Sequence, residues 1–158
     1  MSKWRPHTTG IVIGGLVLIL VALVASYMTT NFQPTTEVRI GSGVFNTGLA
    51  TTDSVRKKGL SGVENLDASG GLLMVFQADS AWGIWMKDMK IPIDIIWLNN
   101  EKKVIYIVTD ASPDLGTSKI FTPNDPARYV LEVQAGSVKR SAIKIGDTAS
   151  FTLKENQS

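Results

Sequence analysis

The sequence predicts a mainly β (α+β) fold, a single compact barrel-like or sandwich β domain with one or two short helices, preceded by one transmembrane helix. Short segments after residue 36 alternate apolar and polar residues, as half-buried strands do. Glycine, proline and aspartate separate these segments and mark turns. A long uncharged apolar segment lies near the N-terminus instead. At 158 residues the chain has room for one domain with appendages.

Residues 11–28, IVIGGLVLILVALVASYM, form this uncharged segment. A helix of that length spans roughly 27 Å, about the thickness of a bilayer's hydrocarbon core. Lys3 and Arg5 precede it, so the positive-inside rule predicts a cytoplasmic tail at 1–10, a single-pass signal anchor in the cell membrane, and a domain outside. The alternative is a secreted protein whose signal peptide is cleaved near VAS at 24–26, although the apolar run is long for a signal peptide.

Residues 29–36 read as a polar linker, 37–153 as the β domain and 154–158 as a disordered tail. A short helix should begin at Thr52 or Asp53 and end at Gly59, and AGSVKRSA should form one or two helical turns. Residues 110–127, with three prolines, should be irregular. We expect strands in the segments EVRI, SGVFNTGLA, GGLLMVF, WGIWMK, DIIWLNN, KVIYIVT, YVLEVQ and IKIGDTASFTL.

The composition excludes several classes of site. The chain has no cysteine, and its one histidine, His7, lies in the N-terminal tail. The domain therefore lacks the residues for a disulfide, a Ser-His-Asp triad or a Cys/His zinc site, and we expect no metal and no cofactor. Two of the 16 basic residues precede the apolar run, which leaves 14 against 14 acidic residues. A domain without cationic excess is not expected to bind nucleic acid.

Several segments together carry a family resemblance. They are Arg56, GL at 59–60, GLLMVF at 71–76, WMKDMKIPIDIIWL at 85–98, YVLEVQAG at 129–136 and IKIGD at 143–147. In this order the chain resembles the DUF192 (UPF0127) family of small, mostly prokaryotic and often exported proteins. It departs from the family pattern at Asp88 and Met89, where an Asn-Thr pair is common. The resemblance implies a compact, mainly β domain and no established reaction.

Four residues form the candidate ligand site: Trp85, Lys87, Asp94 and Glu132. Trp85 and Lys87 should share one face of a strand, since alternate residues do. The three charged residues interrupt apolar strands, where an unpaired buried charge costs several kcal/mol. The favoured interpretation is structural: Lys87 pairs with Asp94 or Glu132 as a buried ion pair that fixes strand register, or its ammonium group extends to water. The other is a pocket for a small anionic or sugar-like ligand.

The leading functional hypothesis is a binding or accessory module of the cell envelope that is not an enzyme, with the lipid bilayer contacted through residues 11–28 and no protein partner identified. One alternative is a carboxylate-dependent hydrolase of envelope carbohydrate, which would use Asp94 and Glu132 as carboxyl groups about 5–9.5 Å apart in a cleft. The other is a purely structural partner of another membrane protein, which would expose an apolar patch.

Overall fold

The structure, a computed structural model of the chain, describes residues 17–20 and 34–153. Residues 17–20 are helical. The remainder of the predicted membrane span at 11–28, the two predicted tails and linker residues 29–33 lie outside the described residues. Among the residues that are described, no helix is both long enough and apolar enough to span a bilayer.

Residues 34–153 form a mainly β domain, and the predicted class is confirmed. The two α-helices described there are α1 (Asp53–Lys58) and α2 (Ser137–Arg140), and a 3-10 helix covers Pro113–Leu115. The strands are β1 (Thr35–Ile40), β2 (Gly43–Ala50), β3 (Gly70–Ser80), β4 (Ile84–Trp85), β5 (Ile93–Leu98), β6 (Val104–Ala111), β7 (Ile120–Phe121) and β8 (Ala127–Gln134).

Six strands form one mixed sheet in the order β1-β2-β3-β8-β5-β6, and β4 pairs with β7 in a separate two-stranded sheet. β2 and β3 run parallel, whereas the other pairs of the large sheet are antiparallel. Parallel neighbours require a crossover of a dozen or more residues. The segment between Ala50 and Gly70, which contains α1, supplies it and brings α1 over one face of the sheet.

The expected closed, barrel-like shape is not formed within the described residues. The sheet is open, with β1 and β6 at its two edges. The strand predicted within residues 143–153 is replaced by two isolated bridges, from Ser150 to Arg39 and from Thr148 to Lys103. The chain turns at 144–147, where the Lys144 amide donates to the Asp147 carboxylate at 2.8 Å. This turn leaves too short a run of residues beside either edge for a regular strand.

The side chains of the central strands alternate between two apolar cores. We call the side covered by α2 and the C-terminal segment the α2 face; its core contains Leu73, Ile96 and Leu131. The opposite side, covered by α1, Leu60 and the small β4-β7 sheet, is the α1 face, and its core contains Met74, Trp97 and Val130. Both faces are buried, so the central strands read as nearly continuous apolar runs.

Candidate functional site

A cavity of about 350 Å³ opens on the α1 face of the sheet. Its walls come from α1 and the residues after it, from β3, from the small β4-β7 sheet and from β8. Trp85 and Ile120 face each other across the β4-β7 pair and are 42% and 58% exposed, so the cavity reaches solvent beside them. The lining is Asp53, Arg56, Lys57, Lys58, Gly59, Leu60, Ser61, Met74, Phe76, Trp82, Gly83, Ile84, Trp85, Met89, Ile120 and Glu132.

The turn after α1 shapes the first wall. The Thr52 hydroxyl caps the helix by accepting from the Val55 amide, and the helix ends at Gly59, whose φ is +53°. That conformation favours glycine, which has no Cβ. A Cβ on Gly59 would lie 3.4 Å from Oε2 of Glu132. Because Gly59 has no side chain, the chain can turn directly beside the Glu132 carboxyl group. The next residue, Leu60, is buried.

Arg56 fastens α1 to the sheet. Its Nη1 donates to the carbonyls of Thr51 and Val75, both at 2.6 Å, and its Nη2 pairs with Asp53. The guanidinium carbon lies 5.1 Å from the centroid of the Phe76 ring. The positive charge of Arg56 is thus already engaged by carbonyls, a carboxylate and an aromatic face, although the side chain borders the cavity.

Aromatic rings form a second wall. Phe76 and Trp82 stack with centroids 4.2 Å apart, and Trp82 Nε1 donates to the Ala78 carbonyl at 3.2 Å. The carbonyl of Trp82 accepts from Nε1 of the fully buried Trp97 at 2.8 Å. The stacking and the bond to Ala78 hold the indole of Trp82 in place, and the bond from Trp97 holds its backbone. Trp85 adds a second indole at the exposed side of the same cavity.

Glu132 is the buried acid of the site. It lies on β8 directly opposite Leu72 and Ile95 on the neighbouring strands and is 3% exposed. Burial disfavours its charged form and raises the pKa of its carboxyl to about 7, although a hydrogen bond from the Leu60 backbone amide acts in the opposite direction. Its Oε2 has no hydrogen-bond partner among the described residues. A buried polar atom without a partner is rare and calls for an explanation.

The structure places two of the four predicted site residues, Trp85 and Glu132, at this cavity. The predicted alternation at 84–87 is confirmed, since Ile84 and Met86 are buried whereas Trp85 and Lys87 are exposed. Lys87 lies outside the cavity lining and forms none of the ion pairs within residues 34–153. Its backbone carbonyl instead accepts from the Ser61 hydroxyl at 2.7 Å. The predicted buried ion pair of Lys87 is therefore wrong.

Asp94 belongs to the opposite face. It is fully buried, and its two oxygens accept from the backbone amides of Asp110 at 2.9 Å and Val138 at 2.8 Å. Asp94 pairs with Val133 whereas Glu132 pairs with Ile95, and adjacent positions of a strand point to opposite faces. The two carboxyl groups therefore do not face one cleft, and this pair lacks the geometry required of a two-carboxylate hydrolase.

Most of the cavity lining was not predicted as part of a site. Leu60, Met74, Phe76 and Met89 follow ordinary apolar patterns that are also typical of a core. Ile120 lies in the long segment that was expected to be irregular. The sequence signal that could have located this wall of the cavity is Gly59. A glycine that ends a helix just before a buried leucine places a backbone turn, which has no side chain, against the sheet.

Solved structures and curated relatives resemble this domain. A Sinorhizobium meliloti protein with a provisional description as a transcription regulator has a TM-score of 0.71 and 26% identity over 75% of this chain and 95% of its own. A protein of unknown function from Novosphingobium aromaticivorans has a TM-score of 0.68 and 28% identity over 75% of this chain and 84% of its own. The alignments therefore include most of the described domain.

Among curated proteins, UPF0127 protein TK1120 of Thermococcus kodakarensis is 28% identical over 112 residues, which are 69% of this chain and 66% of that protein. The chain thus matches just under two thirds of that relative's length. A UPF0127 protein of Thermococcus gammatolerans is 29% identical over 109 residues, 69% of this chain and 68% of that protein. The profile of DUF192, described as Uncharacterized ACR, matches residues 36–151. The chain therefore belongs to the DUF192 family.

Proposed function

We propose that this domain is a binding module that holds a small, largely apolar organic molecule in the cavity on the α1 face. One observation carries the proposal: a cavity of about 350 Å³ is bordered by a buried acid, Glu132, whose Oε2 has no partner among the described residues. Small-molecule sites combine mostly apolar walls with a few polar groups that orient the ligand. The cavity also greatly exceeds the volume of roughly 30 Å³ that one water occupies in the liquid.

The position of Glu132 argues against a purely structural role. Its neighbours across the sheet are Leu72 and Ile95, and a leucine or methionine at this position would continue the apolar core. Keeping a carboxyl group there costs desolvation free energy that no ion pair within residues 34–153 offsets. Asp94 illustrates the structural alternative, because both of its oxygens accept backbone hydrogen bonds. The unpartnered oxygen of Glu132 is better explained by a ligand that donates to it.

This placement changes the proposed chemistry of the ligand. Lys87 is the residue that the sequence suggested for contact with an anionic group, but it lies outside the cavity lining. Lys57 and Lys58 border the cavity, but both are exposed to solvent. An ionised Glu132 accepts hydrogen bonds and repels anions. The ligand should therefore carry a donor group at its buried end, as an alcohol or an amine would.

The envelope location is also part of the proposal. The uncharged apolar residues 11–28, with Lys3 and Arg5 before them, support a single-pass membrane tether with the domain outside the cytoplasm. Protease treatment of intact cells and of inverted membrane vesicles tests this topology. We expect the domain to be digested only in preparations that expose the outer face. Digestion only in inverted vesicles, or recovery of the full-length chain in the aqueous fraction, would contradict it.

The binding function can be tested with methionine methyl resonances. Met74 and Met89 line the cavity, whereas the fully buried Met86 lies in the same core but not in the lining. Full-length protein labelled with methyl-¹³C methionine is titrated with small phenyl-containing molecules. We expect saturable shifts of the Met74 and Met89 signals and little change at Met86. If no compound shifts the two cavity signals, or if all methionines shift alike, the binding function is refuted.

A further inference from the structure

We infer that the ligand of this cavity is a monocationic amine, whose ammonium group pairs with the carboxylate of Glu132 while its apolar body lies against the aromatic wall. This inference rests on the proposed binding function and specifies the chemical class of its ligand. Three features of the described domain support it: the missing counter-charge of Glu132, the prior engagement of Arg56, and the aromatic rings around the cavity.

Glu132 has no cationic partner of its own in the described domain. The ion pairs within residues 34–153 join Glu37 to Arg39, Asp53 to Arg56 and Asp79 to Arg128. The neighbouring strands present apolar side chains to Glu132, including Leu72 opposite it on β3 and Ile95 opposite it on β5. Removing one partner of a buried ion pair leaves an expensive uncompensated charge. The site resembles such a half-pair, and a ligand cation would complete it.

The charged residues contributed by α1 do not fill this role. Arg56 already donates to two carbonyls and pairs with Asp53, which itself borders the cavity. Lys57 and Lys58 lie on the exposed rim, where water solvates an ammonium group well, and neither forms an ion pair in the described part of the chain. The cations nearest to the cavity are thus either engaged or solvated. The buried carboxyl remains available to a ligand.

The aromatic wall also suits a cation. Trp82 and Trp85 border the cavity, and the stacked Phe76–Trp82 pair forms part of its surface. Aromatic faces attract cations, and tryptophan does so most strongly. Arg56 already uses this attraction at the Phe76 ring. An organic ammonium ion could therefore contact a carboxylate and indole rings within the same cavity.

Other ligand classes fit less well. A hydroxyl or amide would donate to Oε2 but leave the negative charge uncompensated, whereas an ammonium group supplies both the donor and the opposite charge. An anion would be repelled by the ionised carboxyl group. A metal ion requires several ligands, and the described residues contain no cluster of three acidic, histidine or cysteine side chains that could hold one. A monocationic amine thus matches the site best.

Three compounds of similar size test the charge requirement: 2-phenylethylamine, 2-phenylethanol and 3-phenylpropionate. Each is titrated into full-length protein at pH 8, and Kd is taken from the methyl shifts of Met74 and Met89. We expect the amine to bind at least about 10-fold more tightly than the alcohol, and the anion to bind most weakly. The isosteric variant Glu132→Gln should lose at least about 10-fold in affinity for the amine and change less than about 3-fold for the alcohol.

Glu101→Gln serves as the matched control, because Glu101 is an exposed acid away from the cavity lining. It should leave all three affinities unchanged. The amine should also bind about 30-fold more weakly at pH 5.5 than at pH 8, since protonation of a carboxyl group with a pKa of about 7 competes with the ammonium. The other charged groups that border the cavity are Asp53, Arg56, Lys57 and Lys58.

The outcomes separate the two proposals. If the alcohol or the anion binds as tightly as the amine, or if Glu132→Gln binds the amine as well as the natural protein does, the amine inference is overturned and the binding function stands. If none of the three compounds shifts the Met74 and Met89 signals, both are overturned. If affinity for the amine depends on Glu132 and falls at acidic pH, the inference is supported.

Discussion

Replacing Glu132 by glutamine should change how the stability of the domain depends on pH. Glutamine has nearly the same shape and carries no charge, so the variant removes the titration and keeps the packing. The carboxyl pKa of Glu132 is raised from the ordinary value of 4.5 to about 7 in the folded protein. Between these values the folded protein retains a proton that the unfolded chain has already released.

The sign and the size of the effect follow from this difference. The contribution of Glu132 to stability is fully present below pH 4.5 and is lost as pH rises through 7. One pKa unit corresponds to about 1.4 kcal/mol, so the free energy of unfolding should fall by about 3 kcal/mol across this window. Glu132→Gln lacks this loss. Relative to the natural protein, it should therefore be about 3 kcal/mol more stable at pH 8 than at pH 4.

Guanidinium unfolding of the full-length chain, followed by tryptophan fluorescence at several pH values between 4 and 8, measures this difference. At each pH the free energy of unfolding of the natural protein is compared with that of Glu132→Gln and with that of Glu101→Gln, in which an exposed acid is neutralised. We expect Glu101→Gln to follow the natural protein. If the Glu132→Gln curve also runs parallel to that of the natural protein, Glu132 is not a destabilising buried acid and the reasoning is refuted.

Three further substitutions test other parts of the structure through the free energy of unfolding. Asp94→Ala should cost about 3 kcal/mol, because it removes the acceptor of two backbone amides, the buried one of Val138 and the partly buried one of Asp110. A cost below about 1 kcal/mol would contradict this role. Arg56→Lys should cost about 1–2 kcal/mol, since an ammonium group cannot reproduce the guanidinium fork that reaches two carbonyls and a carboxylate. An unchanged free energy of unfolding would argue against this role of the guanidinium group. Lys87→Met should change stability by less than about 0.5 kcal/mol, because Lys87 is exposed and forms no ion pair within residues 34–153. A loss above about 1 kcal/mol would instead support a buried ion pair of Lys87.

The local patterns of the sequence predicted much of the fold. Apolar alternation and short apolar runs located the strands of the large sheet, and side-chain chemistry placed α1 between its cap at Thr52 and its end at Gly59. These features depend on residues close together in the chain. The parallel pairing of β2 and β3 was not predicted, because it depends on where the crossover places β3, which is a long-range property.

The candidate site was only partly predictable for the same reason. Asp94 and Glu132 look alike in the sequence, since each interrupts an apolar strand. The register of β5 against β8 assigns them to opposite faces of the sheet. A shift of one residue would have placed both on the same face. Lys87 lies beyond β4, which ends at Trp85, and the chain turns at Asp88 with a φ of +56°. The longer strand expected at 82–87 would have continued through Lys87.

The most direct test of the account follows the carboxyl carbon of Glu132 by ¹³C NMR as pH is varied, with its signal assigned by its loss in Glu132→Gln. The free full-length protein should show a glutamate that titrates near pH 7. A concentration of 2-phenylethylamine that saturates the methyl shifts of Met74 and Met89 should lower this value by about 1.5 pH units or more, because a bound ammonium favours the ionised carboxylate. If Glu132 titrates near 4.5 without the amine, or if the amine leaves its titration unchanged, the account of a buried acid that awaits a cationic ligand is contradicted.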